Sequence, residues 1–203
     1  MTKKLTIYIL FLAGLVGCHS LETKRVSINE SDDLASNITD EWVMKDTELS
    51  VIDILSQIRR HKGFQKYRAN LARQPKLFIA NIQNETSEPY FPIADLNDEL
   101  LNEFSASGEY RLIDAASREK ILKEMKFQKS GTVDPKQIKE IGSSSGADLL
   151  VFGDVRMDPK ILGGKTIKEY SVNIRMTDIL SGEEVCRTRY KISKYSKRSG
   201  SRL

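Results

Sequence analysis

The sequence predicts a helix-backed mixed sheet of the α/β (α+β) kind, with about five strands and about four helices in two or three layers. Three observations carry this reading. Apolar residues recur at helical spacing in four segments between residues 46 and 146. Two short apolar runs, within 75–84 and 148–155, read as buried strands, the first between those helices and the second after the last of them. From Glu169 onward the period changes to two, which marks a sheet with one covered face and one wet face.

The elements follow in the order α-β-α-β-α-α-β-β-β. Val51, Ile54, Leu55 and Ile58 form one apolar stripe of a helix running to about His61, with Asp46 as its N-cap. The run "PKLFIANIQN" (75–84) is a strand. Ile93, Leu96, Leu100, Leu101 and Phe104 mark a second helix, and Gly108 is placed to stop it. "YRLID" (110–114) is strand-like. Asp114 then caps a helix that turns Ile121, Leu122 and Met125 inward and pairs Glu119 with Lys123 and Lys120 with Glu124 outside. Asp134 caps the fourth helix, with Pro135 at its first position, Gln137 completing a capping box and Gly146 ending it. "DLLVFGDV" (148–155) is the next strand. After it Tyr170, Val172, Ile174 and Met176 alternate with Glu169, Ser171, Asn173 and Arg175. Ser181-Gly182 signals a hairpin turn. Beyond it Cys186, Thr188, Tyr190 and Ile192 face one way while Arg187, Arg189 and Lys191 face the other.

The first twenty residues carry a different kind of signal. Lys3 and Lys4 precede an uncharged apolar stretch from Leu5 to Val16. That stretch suits a secretory signal and is too short for a bilayer-spanning helix, which needs about 20 apolar residues. It closes on Leu15-Val16-Gly17-Cys18, which resembles the lipobox of bacterial lipoproteins. The resemblance implies cleavage after Gly17, then S-diacylglyceryl and N-acyl groups on Cys18. Several acyl chains make a stable tether, whereas one gives only marginal attachment. His19 rather than Asp after the cysteine points to the outer membrane. Residues 18–41 lack any sustained period and read as a flexible tether. It would reach about 80 Å fully stretched and about 26 Å as a coil. The domain then spans 42–195, and 196–203 form a disordered basic tail.

The chain's formal charge of +4 falls to +2 once Lys3 and Lys4 are removed, so nucleic acid is not an implied partner. With Cys18 lipidated, Cys186 stands alone and forms no intramolecular disulfide. Neither His19 nor His61 has a neighbour at metal-ligand spacing, so no metal or other cofactor is expected, and His61 reads as part of a solvated basic helix end. "LGGKT" (162–166) joins two strands and reads as a hairpin turn, not a phosphate loop, which leads from strand into helix. "GSSSG" (142–146) ends a helix where a nucleophile elbow would open one. No carboxylate pair is singled out as acid and base, so the residues point to no enzyme and no small-molecule substrate. The acid-free run from Arg187 to Arg202 has two readings. It meets an acidic partner or anionic lipid heads, or it is an edge strand guarded by charge and followed by a frayed tail, the reading favoured here.

From Pro75 onward "IANIQNETSE", "SGEYRLIDAASREKILKEMKFQKSGTVDP", "GADLLVFGDV" and "MTDILSGEEV" resemble, in order and spacing, the LpoB-type lipoproteins that activate penicillin-binding proteins. The resemblance implies a TolB N-terminal-like fold. It also implies an outer-membrane lipoprotein, facing the periplasm, that binds and activates a bifunctional peptidoglycan synthase. Arg187, Arg189 and Lys191 are the candidate partner surface. Two departures stand out. Cys186 replaces a Trp common in the family's last strand, and the tether is short and free of proline. The alternative is a non-enzymatic component of an envelope assembly or secretion complex that uses a TolB-like domain.

Overall fold

In the computed structural model, residues 26–124 and 135–197 are described. The chain divides between Ser31 and Asp32 into a short N-terminal unit and the domain proper. The helices are α1 (Ile28–Ile38), α2 (Met44–Arg60), α3 (Lys62–Ala69), α4 (Ile93–Ala106), α5 (Ala115–Glu124) and α6 (Pro135–Ser145). The strands are β1 (Lys76–Ile79), β2 (Gln83–Glu85), β3 (Arg111–Leu112), β4 (Leu149–Leu162), β5 (Lys165–Asp178) and β6 (Glu184–Lys197). The stretch read as a signal peptide, Cys18, Met125, Asp134 and the residues beyond Lys197 lie outside the described residues, as do the side chains of Leu122, Lys123, Glu124, Pro135 and Gln137.

One mixed sheet runs in the order β3-β1-β4-β5-β6, with β2 also paired to β4. The left half is parallel: β1 pairs with β3 and β4, and β2 pairs with β4 further along. The right half is antiparallel, two long hairpins built from β4, β5 and β6. The alternation in β5 is as the sequence predicts, with Tyr170, Val172, Ile174 and Met176 all buried. They meet the predicted stripe of α2 (Val51, Ile54, Leu55, Ile58) and Leu96, Leu100 and Phe104 of α4 in one core. Among the described residues the opposite face is covered over β1 and the start of β4. There Phe78, Ala80, Leu150 and Phe152 pack with Ile138 and Ile141 of α6. Among its described residues the domain is therefore three layers thick at one side and two at the other.

Several expected features change. The stretch read as a flexible tether contains the 11-residue α1. Ser27 Oγ accepts the Glu30 N–H at 3.2 Å, an N-cap that starts this helix. Asp46 does not cap α2, which begins two residues earlier. It sits in the first turn, where its carboxylate accepts the Val43 N–H at 2.9 Å and pairs with Lys194. The domain edges also lie outside 42 and 195. Asp40 pairs with Lys168 at 3.0 Å, Lys194 donates to the Glu41 carbonyl at 3.0 Å, and β6 runs on to Lys197. His61 is partly buried between α2 and α3, with Nδ1 lacking a hydrogen-bond partner, and is not a solvated helix end. Asp114 does cap α5, accepting the Ser117 N–H at 2.9 Å. Gly108 and Gly146, with φ of 64° and 63°, end α4 and α6 in the left-handed conformation that glycine adopts without strain.

Two expected results arise from this packing. The Asp148 carboxylate accepts both guanidinium nitrogens of Arg73 at 2.7 and 2.8 Å and the Lys76 N–H at 2.7 Å. Burial acts to raise its pKa, but these bonds outweigh burial and hold it below the usual 3.8. A depressed folded-state pKa stabilises above the unfolded value and is lost as pH falls through the folded one. Asp148→Asn therefore costs about 1–2 kcal/mol at pH 7. The difference from the parent shrinks as pH drops below 3.8, and urea titrations at neutral and acid pH measure it. The second concerns Cys186, which is buried in the main core, so desolvation, helped by Glu184, pushes its thiol up to about 12. It stays inert to thiol reagents in the folded protein and reacts fully in denaturant, which a thiol titration in both states reads directly.

Candidate functional site: an open basic sheet face

The wide antiparallel half of the sheet leaves one face without a covering helix among the described residues. Strand register places three rows of side chains there. Phe152, Arg175 and Arg187 form the first row. Asp154, Asn173 and Arg189 form the second, and Arg156, Ser171 and Lys191 the third. The alternation that buries Val172 and Ile174 forces Asn173 and Arg175 outward.

A buried carboxylate organises this surface. Asp154 is 1% exposed and accepts Asn173 Nδ2 at 2.9 Å and Arg156 Nε at 2.9 Å. Asn173 Oδ1 in turn accepts Arg189 Nε at 2.6 Å. The chain Arg156–Asp154–Asn173–Arg189 thus crosses all three strands and fixes two guanidinium planes. Arg175 stacks over the Phe152 ring, 5.8 Å from its centroid. Arg187 is held by both Glu184 oxygens at 2.9 and 2.7 Å. Gln57 of α2 completes the frame. Its amide donates to the Arg189 carbonyl at 2.9 Å and accepts the Arg189 N–H at 3.1 Å, so it pairs with the edge strand as a neighbouring strand would.

Five cations, Arg156, Arg175, Arg187, Arg189 and Lys191, therefore gather on this face, four of them lining a cavity of about 390 Å³ with Asp154. Glu184 pairs with Arg187, and the next row places Asp158 and Glu169 beside Arg156 and Lys191, both within reach of Lys160. Planar guanidinium groups in fixed orientations suit carboxylates, which they bind through two parallel hydrogen bonds. Arg187, Arg189 and Lys191, named from the sequence, do come together here and are exposed. Sequence reasoning missed Arg156 and Asp154, whose place depends on the register of β4. It set Arg175 outward by alternation without joining it to the others. Among the described residues, no three His, Cys, Asp or Glu side chains gather in a way that could hold a metal ion. No helix among them is long and apolar enough to cross a membrane.

The model of the peptidoglycan-synthase activator family LpoB matches residues 46–192, nearly all of this domain. The chain belongs to the LpoB family. Its fold agrees with two solved LpoB domains. The C-terminal domain from Salmonella enterica superposes with a TM-score of 0.52 at 9% identity, covering 72% of this chain and 98% of that one. The Escherichia coli C-terminal domain gives 0.52 at 11% identity, covering 73% and 99%. At such identities these likenesses concern the fold alone. No curated protein matches the sequence. Membership in LpoB, a family of activators of peptidoglycan synthases, supports a regulatory role toward such an enzyme.

Proposed function

We propose that this protein is an outer-membrane lipoprotein that faces the periplasm, is held by acylated Cys18, and binds and activates a bifunctional penicillin-binding protein. The observation that carries the reading is the open face of Arg156, Arg175, Arg187, Arg189 and Lys191 in a chain of the synthase-activator family. The partner presents carboxylates to this face. Activation then requires tighter binding to the synthase's active conformation than to its resting one, because a ligand shifts an equilibrium only by that difference. The protein itself performs no chemistry in this scheme, and it uses neither metal nor cofactor.

The anchor sets where the partner must stand. With α1 helical, the span from Cys18 to Asp40 is at most about 55 Å, not the 80 Å of an extended chain. The basic face lies a further distance of about 17–30 Å along β6 from the Asp40–Ser196 contact, so the synthase must present its docking module within about 85 Å of the outer membrane.

Mass spectrometry of the mature protein from envelopes tests the anchor, and crosslinking in intact cells tests the partner. Acyl groups on an N-terminal Cys18 and a trapped penicillin-binding protein are expected. An unprocessed, unacylated N-terminus contradicts the first part, and a crosslinked set without a synthase contradicts the second.

A further inference from the structure

The far end of the β4–β5 hairpin is apolar where a soluble surface is normally polar. Gly163 and Gly164, with φ of 57° and 73°, make the turn. Beside it Ile161 is 73% exposed and Leu162 84%. Tyr195 and Ile167, cross-strand partners, add to the Leu162 side. Ile161 points to the other side, toward a cleft of about 400 Å³ whose far wall carries the fully exposed Tyr90. Lys165 and Lys197 sit opposite one another at the rim, a like-charge pair that gains from a nearby anion.

The tether joins the domain at this same end. Asp40 is held by Lys168 and Ser196, and Lys168 lies three residues along β5 from Lys165. That is about 10 Å of strand from the turn.

We infer that this hairpin end docks on an anionic lipid surface, entering the interfacial layer with Ile161, Leu162 and the tyrosines while Lys165 and Lys197 meet headgroups. Its placement at the outer membrane rests on the acylated-Cys18 reading, but its affinity for lipid does not. Three features select a bilayer over a protein partner. A flat partner covers one face of a hairpin, whereas this tip is apolar on both, and only immersion covers both. Tyrosine and lysine beside aliphatic side chains are the composition that the membrane interface favours. The tether ties this end, and not the basic sheet face, to the chain that leads to Cys18. Docked so, the domain would be oriented as well as anchored.

The test uses the mature chain with Cys18→Ser, which cannot be acylated, and flotation with phosphatidylcholine vesicles with or without phosphatidylglycerol. Binding to the anionic vesicles only, weakened by salt, is expected. The double variant Ile161→Ser with Leu162→Ser should lower partitioning about tenfold or more without changing the melting temperature, since both side chains are exposed. A variant ending at Lys197 should retain the dependence on Ile161 and Leu162. The pair Arg187→Glu with Lys191→Glu, on the sheet face, should keep the contribution of the tip. No flotation, flotation indifferent to the tip substitutions, or a tip that instead governs self-association in the absence of vesicles overturns the inference. None of these results bears on whether Cys18 is acylated.

Discussion

Arg187→Glu combined with Lys191→Glu reduces affinity for the synthase by about 30- to 1,000-fold, the loss of two favourable charge contacts and their replacement by repulsion. These two positions isolate docking from folding. Both side chains are exposed, and among the described residues the ion pair of Arg187 is with the exposed Glu184, so the melting temperature should hold. Arg189 is a poorer choice. A carboxylate there would face Asn173 and the buried Asp154, and its effect would mix instability with lost binding. Titration calorimetry at two ionic strengths reads the result. Parent binding weakens with salt because the contacts are exposed and screened, while what binding the variant retains changes little. Unchanged affinity in the variant would move the docking face elsewhere on the domain.

Trp42→Ala has the largest expected effect on stability, about 3–5 kcal/mol. Trp42 is 6% exposed, with Phe91 5.3 Å and Tyr170 5.4 Å from its ring. Its indole N–H donates to Thr47 Oγ1 at 2.8 Å, and Thr47 is fully buried, so truncation opens a cavity and strands a hydroxyl. Domains of this size have about 5–15 kcal/mol in all, so about a fifth or more would go. Trp42→Phe keeps a ring in the cavity but loses the donor, and should cost about 1–2 kcal/mol. Urea denaturation followed by far-ultraviolet circular dichroism separates the two variants. The consequence extends beyond stability, because Trp42 follows directly on Asp40 and Glu41 and anchors the join between tether and domain. A loss below about 1 kcal/mol would show that this join contributes little to the fold.

The parts of the fold that could be read in the sequence are those whose burial imposes a period. The stripe Val51-Ile54-Leu55-Ile58 is fixed by one buried helix face, and the alternation around Tyr170–Met176 by a half-buried strand. Elements held by other means left no such trace. In α3 only Phe64 is buried, so eight residues show no stripe. In β2 three polar residues are held by their ladder with β4, a tertiary contact. The β4 strand continues past 155 to Leu162 because β5 pairs with it along its whole length. Pro159 is tolerated there because, beyond β2, that stretch has a neighbour on one side only. For α1 two signals existed, the S-x-x-E spacing of Ser27 and Glu30 and the helical spacing of Ile28, Ala35 and Ile38, but the segment's charged and polar composition made it read as linker.

The candidate site divides along the same line. Arg187, Arg189 and Lys191 lie on one strand, and alternation alone puts them on one face. Assembling them with Arg175 on β5 and with Arg156 and Asp154 on β4 needs the cross-strand register, set by two turns and a bulge between Met176 and Thr177. The structural role of Asp154 was equally hidden, since a lone Asp within an apolar run gives no hint of its partner Asn173, 19 residues away on the next strand.

The central claim is that this folded domain raises the output of a cell-wall synthase. The most direct measurement is the initial rate of glycan-chain polymerisation by a purified bifunctional penicillin-binding protein of the same bacterium, with and without the chain from residue 26 onward. The account predicts a saturable rise in rate that Arg187→Glu with Lys191→Glu abolishes. An unchanged rate at protein concentrations that saturate binding, or a rise that the doubly substituted chain reproduces in full, would contradict it.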